Sequence, residues 1–321
     1  MLLRCFIVVA ATCGVLAGCG RSQHSNIICA IPRDPSGSLY VTQHAGMTHA
    51  AAGLGMKVYW NGPRGGDDTQ QEIELVERAI EKKDAGIVVT PTAAFALDTV
   101  IQRALSDGIP VVILGSQIPF PTNPGLSFVV TDIEESAAMA AGRVCSIGDS
   151  SDEVAVIGIE PGTPGVSKLV SGFERNLMRC PRPAHIVSKV SGAATLGQSE
   201  VTATRILTEN PKLNVIFSLS SIGTRGAVLA AASLHRSSSI RLISVDPTLD
   251  LVQLLRQGMI DSLVFPNMRA MGEKAVENIA RERQRLPVQA VTLFPPVLVT
   301  RENVDTKPVQ TLLRMDWREL Q

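Results

Sequence analysis

Ala85-Gly86-Ile87-Val88-Val89-Thr90-Pro91 decides how the chain is read. Every position before the Thr-Pro is apolar or glycine, and the run is only five residues long. A strand with one wet face alternates apolar and polar residues, whereas a strand covered on both faces does not. Such a run therefore belongs in a parallel sheet with helices on each side. Downstream, Leu97, Val100, Ile101, Ala104 and Leu105 stripe one face of a helix that Asp107-Gly108 terminates, and Pro110-Val111-Val112-Ile113-Leu114 is the next strand. Upstream, Lys57–Trp60 is a strand. It is followed by a helix beginning near Asp68, with Thr69-Gln70-Gln71-Glu72 as its capping box and Ile73, Val76 and Ile80 on its inner face. Further upstream, Asn26–Ile31 is a strand stopped by Pro32, and Leu39 to Leu54 a helix ended by Gly55.

The alternation resumes after Asp132. Val154–Ile159, His185–Val190, Val215–Leu219, Leu242–Val245 and Ile260–Phe265 read as strands. Between them, Ile133–Cys145, Pro164–Met178, Thr195–Thr208 and Ile222–Leu234 read as helices, and Met268–Arg281 as one more. Pro119-Phe120-Pro121-Thr122-Asn123-Pro124 is a rigid irregular loop. Two βα arrays thus follow one another, each predicting a doubly wound parallel sheet. Ligands of such sheets bind beyond the carboxyl ends of the strands. The segments to inspect are Pro32–Tyr40, Trp60–Asp68, Thr90–Phe95, Gly115–Gln117, Glu160–Thr163, Ser220–Ile222 and Asp246–Thr248.

The first residues read as an export signal. Arg4 is the positive n-region, and Cys5 to Val15 is an apolar core too short to span a bilayer. Leu16-Ala17-Gly18-Cys19 matches a lipoprotein cleavage box, so residues 1–18 are expected to leave and Cys19 to carry the lipid. Gly20 to Ser25 is a polar tether, and Gly20, which is not Asp, points toward an outer membrane in a cell that has one. The 321 residues hold 30 Lys+Arg and 30 Asp+Glu, and loss of Arg4 leaves 29 against 30, a formal charge of −1. With no basic excess to neutralise phosphates, nucleic acid is not the expected partner. Cys29 reads as a small buried hydrophobe. Cys145 and Cys180 could pair in an oxidising compartment, but sequence does not give their Cα separation. No CxxC or His cluster suggests a metal, and none is expected.

Nothing in the chain reads GxGxxG, G-x-x-x-x-G-K-[ST], GxSxG or HExxH, so no enzyme signature and no cofactor are expected. Gly62-Pro63-Arg64-Gly65-Gly66 reads as a turn, and the five histidines as surface or satisfied groups. Asp246 is different. It follows the apolar strand Leu242-Ile243-Ser244-Val245 at its carboxyl end. There it either accepts charge-assisted hydrogen bonds from a ligand's hydroxyls or caps the helix after Pro247.

In order and spacing, several segments resemble the type I sugar-binding group of periplasmic binding proteins, close to ribose-binding proteins and to the ligand domains of lactose-repressor-type regulators. They are Ile31-Pro32-Arg33, Tyr40, Trp60-Asn61-Gly62-Pro63, Asp67-Asp68-Thr69-Gln70-Gln71, Gly108-Ile109-Pro110-Val111-Val112, Thr131-Asp132, Gly172-Phe173, Val245-Asp246 and Val299 to Val304. The likeness runs from about Asn26 to Arg314. It implies two α/β lobes joined by three crossing segments: 26–131 with 267–295, and 132–266 with 296–310, leaving 311–321 as a tail. It also implies a monomer that closes on a small ligand and presents the closed form to an ABC permease or a membrane sensor. The export signal, and the lack of an N-terminal helix-turn-helix, set aside a transcription regulator. By this resemblance Asp246 is the hydroxyl-binding carboxylate, Tyr40 the ring-stacking aromatic, Ser116 a polar contact and Asn267 a stand-in for an Asp. Ser220 replaces part of an Asn-acidic pair, with Ser221. The family's pattern is also broken at Ala93, Gly115, Ser167 and Pro266. These replacements empty the cleft of charge and point to a less polar or modified sugar. Phe95 would add apolar wall on the same side.

Overall fold

The computed structural model describes residues 25–64, 68–147, 152–182 and 184–314. The expected signal 1–18, the lipid site Cys19 and the tether up to His24 lie outside the described residues, as do Gly65 and Gly66 of the glycine-rich turn.

The chain first lays down β1 (Ile27–Ile31), α1 (Ser38–Gly53), β2 (Lys57–Trp60), α2 (Thr69–Glu81), β3 (Gly86–Val89), α3 (Asp98–Ser106), β4 (Val111–Gly115) and β5 (Leu126–Thr131). It continues with α4 (Ile133–Ile147), β6 (Glu153–Ile159), α5 (Val166–Leu177), β7 (His185–Ser191), α6 (Leu196–Glu209), β8 (Leu213–Ser218), α7 (Ser221–Ser233), β9 (Arg241–Ser244), α8 (Leu249–Arg256) and β10 (Ser262–Pro266). It ends with α9 (Met268–Arg283), β11 (Val291–Phe294), β12 (Pro296–Thr300) and α10 (Lys307–Leu313). Two six-stranded sheets result, ordered β11-β5-β4-β3-β1-β2 and β12-β10-β9-β8-β6-β7. All pairings in the first sheet are parallel; in the second only β12 runs antiparallel, against β10. The chain passes from one sheet to the other after Thr131, after Pro266 and after Phe294.

Burial follows the sequence pattern. In β1, Cys29 and Ile31 face Leu75, Val76 and Ile101 on α2 and α3, while Ile28 and Ala30 face Met47, Met271 and Val276 on α1 and α9. Successive side chains alternate faces, so both faces being covered makes the whole run apolar. The second sheet is covered likewise by α4 and α5 on one side and by α6, α7 and α8 on the other. The edge strands β2 and β7 alternate exposed with half-buried residues. α1 and α9 pack against each other most closely at Gly46 and Gly272, where a Cβ would collide with the backbone carbonyls of Arg269 and Gln43. Cys145, in the last turn of α4, and Cys180, just beyond α5, are disulfide-bonded with Cα atoms 5.6 Å apart. At the opposite, amino-terminal end of the first sheet, Arg283 Nη1 donates to the Ser25 carbonyl at 3.0 Å.

Three local expectations are corrected. The cap of α2 is Asp68, whose carboxylate accepts from the Gln71 amide at 3.0 Å. Thr69 instead lies 3.0 Å from the Thr92 hydroxyl, and buried Glu72 accepts from the Thr92 amide and hydroxyl at 3.1 and 2.7 Å, so no capping box forms. Leu126–Thr131, not read as a strand, is β5, because Gly125, with φ +85°, turns the proline-rich loop back beside β4. α10 runs on to Leu313, past residue 310 and into the stretch expected to be tail, because Leu312 and Leu313 pack on the second lobe's core.

Candidate functional site

The strand order reverses between β1 and β3 in the first sheet and between β6 and β8 in the second. At such switch points adjacent loops diverge and leave a crevice at the carboxyl ends of the strands. Here the two crevices form one cavity of about 330 Å³, lined from both lobes. The first lobe contributes Arg33, Tyr40, Thr90 and Ser116, and the second contributes Thr163, Gly165, Ser221 and Asp246. Between these polar groups the wall is apolar, with Leu114 and Met268 on one side and Leu169 and Val264 on the other.

Asp246 sits just past β9, and its carboxylate accepts the Ser221 amide at 3.2 Å, at the first turn of α7. A helix N-terminus carries partial positive charge, which favours an anion there. Burial nevertheless pushes the Asp246 carboxyl above the usual carboxylate range, opposed by the Ser221 hydrogen bonds and by Arg225. The helix after Pro247, α8, is capped at Thr248 without a side-chain bond, so Asp246 does not cap it. Tyr40 lies on the first turn of α1, and burial raises its phenol to about 12, with Arg33 opposing and Asp246 adding to the rise. It therefore stays a neutral hydroxyl, able to donate and accept.

Two contacts bridge the gap. Arg33, in the loop after β1, donates to Glu160 Oε2 at 2.9 Å and to Thr163 Oγ1 at 3.0 Å, both in the loop after β6. Gly165, at φ +84°, brings backbone within reach of the first lobe, since a Cβ there would lie 3.0 Å from Ser116 Oγ. Behind the Arg33 loop, Trp60 Nε1 donates to the Pro35 carbonyl at 3.1 Å and stacks on His44 at 4.4 Å between centroids. Burial lowers the His44 imidazole to about 4.

Of the residues singled out in the sequence, Tyr40, Ser116 and Asp246 meet at this cavity. Ser220, Asn267 and Phe95 do not line it. Ser220 Oγ accepts from the Gly223 amide to cap α7, and Asn267 Oδ1 from the Ala270 amide to cap α9, so both side chains are engaged by their own helices. Phe95 lies in the turn that opens α3 and is 66% exposed. No described residue of Trp60–Asp68 reaches the cavity, because β2 is the sheet's edge strand. Gln43, Arg33 and Gly165 line it without having been selected. Helical spacing from Tyr40 would have flagged Gln43, and Arg33 falls inside the strand-end segment Pro32–Tyr40; nothing local flags Gly165. Among the described residues no cluster of three His, Cys, Asp or Glu could hold a metal, and no helix is long and apolar enough to cross a membrane.

Two open sheets clasping a shared crevice define the class of two-lobed clamp proteins. Residues 28–284 match the model of the periplasmic binding protein domain, and the chain belongs to that family. It is 24% identical over 204 residues to a D-ribose/D-allose-binding protein of Pseudomonas aeruginosa, covering 62% of this chain and 63% of that protein's length. It is 21% identical over 278 residues to the D-allose-binding periplasmic protein of Escherichia coli, covering 83% of this chain and 89% of that one. A carbohydrate-transporter solute-binding protein of Agrobacterium radiobacter, solved with D-arabinose, superposes with a TM-score of 0.83 at 23% identity, covering 91% of this chain and all of that one. The XylFII–LytSN complex contains a similar chain, with a TM-score of 0.77 at 23% identity, over 87% of this chain and 99% of that one. The first three of these are named for, or solved with, a sugar.

Proposed function

We propose that the chain is an extracytoplasmic solute-binding lipoprotein. It captures a sugar or sugar derivative between its lobes and delivers it to an ABC importer. In this reading residues 1–18 are the signal, Cys19 carries the lipid, and the mature protein works as a monomer at the cell envelope, on the outer membrane where there is one. The observation that carries the reading is Asp246, a half-buried carboxylate just past β9 that lines a cavity shared by both lobes. A carboxylate accepts from hydroxyls, while apolar walls suit the C–H face of a sugar ring. Closure is driven by differential affinity, because the ligand touches both lobes only when they meet.

A second reading is a sensory receptor whose closed form is read by a membrane partner; the likeness to the XylFII–LytSN complex favours keeping it. Reconstitution separates the two: sugar-stimulated ATP hydrolysis by a permease supports the importer, and sugar-dependent capture by a sensor supports the receptor. A thermal-shift screen of the purified protein against D-ribose, D-allose, D-arabinose and D-xylose tests the ligand. Binding raises the melting temperature in proportion to RT ln(1 + [L]/Kd). No shift with any sugar or polyol at millimolar concentration would refute the sugar reading, and turnover of a bound sugar would refute a pure binding role.

A further inference from the structure

Tyr40 and Gln43 are three residues apart on α1, a spacing that puts side chains on one helix face. Both line the cavity. Gln43 is only 1% exposed, and neither its Nε2 nor its Oε1 has a hydrogen-bond partner among the described residues. An unpaired buried amide destabilises a fold, and native proteins pair the great majority of such groups. The surroundings do not demand polarity here, since Leu39 and Met268 form the adjoining wall and Met47 continues the same helix face inward. An apolar side chain of the same shape would serve packing better.

We propose that Gln43 is a specificity-determining residue, whose amide reads a pair of neighbouring hydroxyls on a neutral ligand. The inference rests on the proposed sugar-binding role of the same cleft and names a contact within it. The amide offers donors at Nε2 and an acceptor at Oε1. A carboxylate ligand would satisfy only the donors, and an ammonium only the acceptor. Two adjacent hydroxyls satisfy both, one accepting and one donating. An acidic ligand is disfavoured further: Arg33 is already engaged by Glu160 and Thr163, and Asp34 and Asp246 line the same cavity. A site built to hydrogen-bond a hydroxyl rejects the analogue that lacks it.

The test compares the purified full-length protein with Gln43→Met and Gln43→Leu. Each is melted alone and titrated with D-ribose, D-allose, D-arabinose and D-xylose and their mono-deoxy forms. The expected result has three parts. The unliganded melting temperature rises, the best sugar binds at least tenfold more weakly, and the preference for that sugar over one of its deoxy forms collapses. Unchanged affinity, or an undiminished preference over every deoxy form, overturns the inference whatever the stability change. If no sugar binds even the parent protein, the sugar reading fails by itself. The unliganded melts still judge Gln43: lower melting of both variants shows that the amide serves the fold and overturns the inference, and higher melting supports an amide retained for another hydroxylated ligand.

Discussion

In the first sheet β11 runs with β5, whereas in the second β12 runs against β10, although only Pro295 separates β11 from β12. The difference follows from geometry. Both sheets point the carboxyl ends of their strands at the shared gap, so a segment that crosses it directly leaves one sheet upward and enters the other downward. The antiparallel edge records that the lobes face each other. They also differ in how they are held. The second lobe has the Cys145–Cys180 bond between the ends of α4 and α5. In the first lobe the described cysteine, Cys29, is a buried thiol that burial, with Asp84, raises to about 12, and the close α1–α9 contact does the holding.

The largest test of this contrast is reduction. The disulfide joins residues 35 apart, and opening such a loop costs about 3–4 kcal/mol. Calorimetry with and without reductant is expected to lower only the second lobe's transition; one transition shifting as a whole would mean the lobes unfold as a unit. Acid is the converse probe. Folded His44 stays neutral down to about 4, while an unfolded histidine takes a proton near 6.5. The first lobe's stability is therefore complete above that higher pH and is lost as pH falls toward 4, by at most about 3 kcal/mol. Urea melts between pH 7 and pH 4.5 should show the slope, and His44→Phe should flatten it.

At the cleft, Asp246→Ala is expected to weaken sugar binding by about 1.5–3 kcal/mol, the scale of a hydrogen bond to a charged group. Titration calorimetry reads this directly, and equal affinity would remove Asp246 from the site. Because burial raises its carboxyl, the ionised acceptor is lost on acidification sooner than an ordinary aspartate would be. The smallest effect belongs to the bridge between lobes. Glu160 is 48% exposed, so Glu160→Gln should open the clamp by less than about 1 kcal/mol. Solution scattering should show a slightly larger radius that added salt reproduces in the parent protein.

What the sequence reveals and what it hides divide by range. The β3 and β4 runs announce a covered parallel sheet because burial on both faces leaves no room for polar alternation. Asp246 and Ser116 are legible because the strand-end rule needs only a strand and the next residues. Arg33 and Glu160 are 127 residues apart in the chain and meet only when the lobes do, so no local pattern joins them. Gln43 lies on a helix wall, which a search confined to loops passes over. Thr69 is an adequate cap in isolation, but Thr92 takes its hydroxyl and Glu72's carboxylate, leaving Asp68 to do the capping.

The tie between Arg283 and the Ser25 carbonyl fixes where the polypeptide enters the body: at the amino ends of the first sheet's strands, away from the gap. Under the lipid-anchor reading, residues 19–24 give at most about 20 Å of reach. A leash that short keeps the base of the first lobe within about that distance of the bilayer.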